Sequence, residues 1–171
     1  MPDVAELFGG PPAVDQSGNL TIWAIAGTTI SQSAPSAAAL GGAACYRVTY
    51  SFRTGGWVVA APQEKLTDER LTAPQSKQSL GKITPDIGDL DYVDSTAAGS
   101  AAVVLAAAGA FQFIERRNVP QTAIAAAAQK VRVLNVTLGA QTPGPADGTG
   151  KWSYTQAVAV DSLGALVALA V

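Results

Sequence analysis

The chain has 171 residues, enough for one domain with a hydrophobic core, and a formal net charge of −2 from 11 basic and 13 acidic side chains. That balance argues against a surface that grips nucleic acid. With no histidine and a single cysteine, Cys45, the chain has no imidazole base, no zinc site and no intrachain disulfide.

Residues 1–19, MPDVAELFGGPPAVDQSGN, are broken by Gly9, Gly10, Pro11 and Pro12 and read as an arm. LTIWAIAG, residues 20–27, is a strand anchored by Trp23. A loop punctuated by Pro35, Gly41 and Gly42 follows, with one helical turn expected at Ala37 to Leu40. CYRVTYSF, residues 45–52, alternates, so Tyr46, Val48, Tyr50 and Phe52 are expected on one face of a strand. The RTGG turn then leads to WVVAA, residues 57–61, expected as its hairpin partner. Residues 62–79, PQEKLTDERLTAPQSKQS, form the longest polar stretch and read as a loop, with a helical turn near Thr67 to Leu71. A loop this long in a compact domain commonly serves binding or assembly. GKITPDIGDLDYVD, residues 81–94, reads as an extended strand interrupted near Pro85 and Gly88.

Residues 97–108 are an Ala-rich helix candidate, with Ser95 or Thr96 to cap it and Gly109 to end it. FQFIERR, 111–117, and KVRVLNVTLG, 130–139, are strands, the second carrying the clearest signal in the chain. The segment between them is expected to hold a single turn. TPGPADGTG, 142–150, is a loop. KWSYTQAVAV, 151–160, places Trp152, Tyr154, Gln156, Val158 and Val160 on one face, and ALVALAV adds a last strand. The expected fold is mainly β: a β-sandwich or small barrel of about seven strands with one helix, 97–108, packed on its side. The domain reading is an arm, 1–19, followed by a single β-rich domain, 20–171.

Charged residues make up only 14% of the chain. Such a surface either hides in contacts with further copies or is covered by small polar side chains. No apolar run reaches 18 residues, and no basic-then-apolar leader opens the chain, so no membrane is expected as a partner. The apolar end SLGALVALAV is too short to span one.

Little in the sequence carries chemistry. Cys45 opens an alternating segment and has no histidine to activate it. Asp86, Asp89, Asp91 and Asp94 cluster, but their spacing is not that of an EF-hand loop, and a charged strand face is the simpler reading. Glu64, Lys65, Asp68, Glu69 and Arg70 mix both signs and read as loop salt bridges or a contact with a neighbour. Arg116 and Arg117 are a weak nucleic-acid signal, and pairing with nearby acids is the simpler reading. No phosphate-cradling glycine loop is present, and no cofactor, metal or catalytic residue is expected.

Taken in order, these pieces resemble the major tail tube proteins of long-tailed, non-contractile bacteriophages. SAPSAAALGGA, 33–43, resembles an early Pro–Leu–Gly segment of that family but lacks its acid. LTDERLTAPQSKQSLGK, 66–82, resembles the Arg-x-Thr segment after the long loop. Residues 111–145 match most closely, as an apolar strand ending in Arg, a short loop, a strand ending in Leu138–Gly139 and a proline-rich loop. KWSYTQAVAV resembles the penultimate strand. The run AAAA at 125–128 departs from the family's usual polar residues.

The resemblance implies a structural virion protein, assembled in the host cytoplasm. Hexameric rings stack into a hollow tube through which genome DNA passes without specific binding. Its partners are further copies and, by resemblance, the tail terminator, tape measure and baseplate or distal tail proteins. Under this reading Asp86, Asp89, Asp91 and Asp94 are candidates for an acidic lumen wall. Glu64, Lys65, Asp68, Glu69 and Arg70 are candidates for the contact between rings. The competing expectation is a β-rich adhesion or capsid-decoration module that forms no tube.

Overall fold

β1 (Leu20–Ala26) shows how the sequence builds its main sheet. Ile22 and Ala24 enter one apolar cluster, while Trp23 and Ile25 enter another on the opposite face. A strand apolar on both faces must be covered on both, which places it inside the sheet rather than at its edge. These positions come from a computed structural model, which describes residues 13–68, 77–145 and 150–170. Most of the predicted arm therefore lies outside the described residues, as do 146–149 of the proline-rich loop.

The single turn expected at α1 (Ala37–Leu40) is present. Ser36 Oγ accepts from Ala39 N at 3.2 Å, and Leu40 is buried. The alternating segment after it is not a full strand. Only β2 (Tyr46–Arg47) pairs, and Thr49–Ser51 form a 3-10 turn. The cause is local. Val48 N donates to Ile22 O at 2.9 Å and Ile22 N donates to Thr49 Oγ1 at 2.7 Å, so a side chain replaces the next ladder bond. Val48 is buried, whereas Tyr50 is 79% exposed, so the two do not share an environment.

β3 (Val59–Ala60) does not pair with residues 45–52 as expected. Gly55, at φ +81°, turns the chain so that Arg53 N donates to Asp91 O at 3.0 Å, and β3 pairs instead with β6 (Asp86–Ile87). The 62–79 stretch is likewise not simply a loop. β4 (Gln63–Asp68) and β5 (Lys77–Ile83) pair antiparallel as a ribbon with no third strand among the described residues. Pro62 lies outside the ladder, leaving a backbone free to pair. Pro85 and Gly88 interrupt the next segment where the sequence suggested, separating β5, β6 and β7 (Leu90–Val93).

The Ala-rich helix is reduced to one turn, α2 (Ala101–Val104). Gly99 at φ +84° prevents an earlier start, and Gly109 at φ +134° turns the chain into the next strand. Alanine's propensity over so few residues does not meet the cost of nucleation. What holds α2 is burial of Ala101, Ala102 and Leu105.

β8 (Gly109–Arg117), β9 (Lys130–Pro143) and β10 (Ser153–Ala168) complete the sheet. The two terminal strands expected after residue 151 are one long strand whose pairing with β9 shifts register in three places. The main sheet is antiparallel and six-stranded, in the order β2-β1-β8-β9-β10-β7. It curls. Phe52, beyond the β2 edge, bridges Tyr92 on β7 at the other edge. The chain is mainly β, with ten strand segments among the described residues rather than about seven.

The concave side packs Phe111, Phe113, Leu134, Val136 and Leu138 against β6, β7 and α2. The outer face packs Trp23, Ile114, Val131 and Val133 under Ile30, Leu40 and Leu169. Two buried glutamines tie the polar groups around them. Gln112 Nε2 donates to Ile30 O and to Asn135 Oδ1, each at 2.8 Å, and its Oε1 accepts from Ile30 N at 2.7 Å. Gln156 Nε2 donates to Gly139 O at 2.7 Å and to Leu105 O at 3.2 Å, and its Oε1 accepts from Tyr92 OH at 2.9 Å.

Candidate functional site

Three surface features stand out from this frame, and the first is the β4–β5 hairpin. Every residue of β4 is exposed, and so is all of β5 except the half-buried Gly81. Direct pairing sets Leu66 opposite Ser79, and Lys65 opposite Leu80. Leu66 and Leu80 therefore lie on opposite faces of the ribbon, 54% and 68% exposed. Glu64, Lys65 and Asp68 stand on β4, so the mixed charge singled out in the sequence belongs to an extended ribbon. Glu69 and Arg70 lie outside the described residues.

The second feature is acidic. Asp86 is in β6, Asp89 links β6 to β7, Asp91 is in β7 and Asp94 follows it. They are not equivalent. Asp91 is half-buried and ion-paired to Arg53 at 3.4 Å, whereas Asp86, Asp89 and Asp94 are exposed. Leu90 and Tyr92 take the core side of β7, and that leaves Asp91 on the other.

The third feature is cationic, and the sequence reading did not find it. Where β8 ends and β9 begins, an open pocket of about 410 Å3 is lined by Glu115, Arg117, Lys130 and Arg132 among others. Glu115 is buried and ion-paired to Arg117. Arg132 Nε is buried with no hydrogen-bond partner among the described residues. The signal was the Glu-Arg-Arg and Lys-x-Arg pairs at the junction of two adjacent strands. It became legible only once their antiparallel register, Glu115 opposite Arg132, was known.

Arg116 points to the opposite face, is fully buried and serves structure. Its guanidinium lies 5.1 Å from the centroid of Trp23, and Arg47 lies over the same ring at 5.4 Å. Arg116 donates to Thr21 Oγ1, to Gln129 Oε1 and to the carbonyls of Pro120, Ala123 and Ile124, fixing the loop between β8 and β9. Burial, and secondarily the charge of Arg47, hold its pKa below the usual arginine range. Cys45 is equally inert: burial pushes its thiol up to about 11, with Arg47 pulling part of the way back. Among the described residues no three His, Cys, Asp or Glu side chains gather as a metal site.

The described residues thus combine a curled sheet, a ribbon outside it and charged margins. The model of a family described as phage tail tube protein matches residues 10–171, and the chain belongs to that family. It is thus a structural component of the phage tail, with a role in forming the tail tube. No curated protein matches it.

Proposed function

We propose that copies of this chain close into rings, hexameric as the family resemblance implies, and that the rings stack into a hollow tube through which genome DNA passes. Assembly takes place in the host cytoplasm. The observation that carries this reading is the β4–β5 ribbon, with both faces in solvent. A lone two-stranded hairpin is marginal in water, and its unpaired edges and exposed leucines call for a neighbour. In the tube the ribbon, with Glu64, Lys65 and Asp68 on it, lies against an adjacent copy.

Negative-stain imaging of the purified protein tests the reading. Rings or tubes are expected, and a field of dispersed small particles would favour the adhesion or decoration module instead. Asp86, Asp89 and Asp94, exposed along β6 and β7, are our candidates for the acidic lumen wall, and slower DNA ejection at low salt from particles carrying Asp89→Lys is the expected result.

A further inference from the structure

We infer that the free edge of β10 receives the β4 strand of the next copy's ribbon, so that each ribbon extends a neighbour's main sheet. This contact rests on the tube reading above and names the surface on which the ribbon lies. β10 is the longest strand among the described residues, and β7 pairs only with its first part, 153–156. β6 lies near β10 but pairs with β3. Beyond Gln156, among the described residues, β10 therefore has a ladder on one side alone, to β9. An unpaired edge is a template for another strand unless lysine, proline or a bulge blocks it. Residues 157–168, AVAVDSLGALVA, hold neither lysine nor proline. Their register shifts against β9 all fall before Leu166, and from Leu166 to Ala168 the ladder is regular again.

The chain's own ribbon leaves this edge open. Every residue of β4 is exposed, and so are Ala165, Leu166 and Ala168. The two surfaces also match in their side chains. Leu166 pairs with Arg132, which pairs with Glu115, on the Phe113 side of the sheet. There it stands more than half exposed, beside Val119 and Ala128 at the rim of the hollow. On β4, Glu64, Leu66 and Asp68 alternate onto one face, and Leu66 is also more than half exposed. A strand added beside β10 sets its Leu66 next to Leu166, an apolar cross-strand pair. Arg117 and Lys130 at the hollow then lie on the side of Glu64 and Asp68, which favours this face of the ribbon over the one bearing Lys65. Ribbon and edge are different surfaces, so the contact is heterologous. It runs from copy to copy and closes into a ring where the rotation permits.

Backbone hydrogen exchange, comparing assembled wild-type protein with the monomer, tests the contact directly. Strand addition ties up edge-facing amides on both partners. Residues 63–68 and 163–168 are therefore expected to gain protection together on assembly. Protection of the ribbon without protection of 163–168 overturns the contact while leaving the tube intact.

Cross-linking provides the second arm. In a Cys45→Ser background, one tagged protein carries Thr67→Cys on β4 and a second, differently tagged, carries Ala165→Cys on β10, both at exposed positions. A short bismaleimide is expected to join the two tags in mixed assemblies and not in monomers. Assemblies that form without this link overturn the proposal. Leu166→Lys, which puts a cation on the edge, is expected to raise the critical concentration for assembly about tenfold or more, with an unchanged unfolding midpoint. Assembly of that variant at the wild-type concentration overturns the contact as well. A wild-type protein that remains monomeric overturns the tube reading and this contact with it.

Discussion

The curled sheet and the β4–β5 ribbon are both antiparallel β-structure, yet they are stabilised by different things. β1, β8 and β9 bury side chains on both faces, and Gln112 and Gln156 hydrogen-bond across the interior. Among its described residues the ribbon buries no large side chain and pairs along its own ladder. On the proposed assembly the sheet is complete within one chain, whereas the ribbon gains its remaining stability from a neighbour. Substitutions in the sheet should register in the monomer, and substitutions in the ribbon should register only in the assembly.

The largest effect is expected at Trp23. It is buried, it packs the outer cluster, and the guanidiniums of Arg47 and Arg116 both lie within cation–π distance of its ring. Trp23→Ala should destabilise the monomer by about 3–5 kcal/mol, read as a lower urea midpoint. A smaller shift of under 1 kcal/mol or so would mean that the outer cluster does not stabilise the monomer, and the contrast with the ribbon would fail.

Next is Gly56→Ala. A Cβ on Gly56 would collide with the backbone carbonyl of Asp91, because the 53–56 turn lies directly against β7. The backbone has to move, at a cost of about 1–3 kcal/mol. The Asp91 amide, which donates to Gly56 O at 3.4 Å, should lose protection against hydrogen exchange before β8 does. Equal protection in both would place the turn outside the cooperative unit.

Tyr92→Phe sharpens the account of the polar interior. Tyr92 OH donates to Gln156 and accepts from Gln141 at 2.9 Å, and burial pushes its pKa up to about 12, with the Gln141 hydrogen bond opposing and Tyr154 adding to the rise. The folded state holds the proton more tightly than the unfolded chain, whose tyrosine titrates near 10. Stability from this group is therefore complete below pH ~10 and is lost as pH rises toward 12. The variant should lose about 1 kcal/mol at neutral pH and decline less steeply above pH 10. An unaltered alkaline limb would show that Tyr92 is not the titrating group.

The sheet was legible in the sequence because its strands alternate strongly between two apolar faces, as in Trp23 against Ile22 and Val133 against Leu134. Places where a few side-chain hydrogen bonds override the pattern were not legible. Thr49 diverts the 45–52 alternation into a turn, and two glycines trim an alanine-rich stretch to one helical turn. The ribbon was hidden for a different reason. With no buried face, its strands show no apolar period to separate them from a polar loop. The cationic pocket needed the register between β8 and β9, which periodicity does not supply.

The smallest effect on the fold, and the most informative, is expected from Leu66→Ser with Leu80→Ser. Both side chains are more than half exposed, and serine tolerates a strand, so the monomer should change by no more than ~0.5 kcal/mol. Assembly should respond differently. Covering a leucine that is now exposed contributes roughly 1.5–3 kcal/mol, and the two leucines lie on opposite faces, so a neighbour enclosing the ribbon loses both contributions. Sedimentation at matched concentrations should show monomer where the wild-type forms rings or tubes. Single substitutions identify which face is covered: if only Leu80→Ser impairs assembly, the neighbour packs on the Lys65 side, and if only Leu66→Ser does, on the Glu64 side. Should the double variant assemble as well as wild-type while Trp23→Ala weakens the monomer, the ribbon is stabilised by its ladder alone. The proposed division between a self-sufficient sheet and a dependent hairpin would then have to be abandoned.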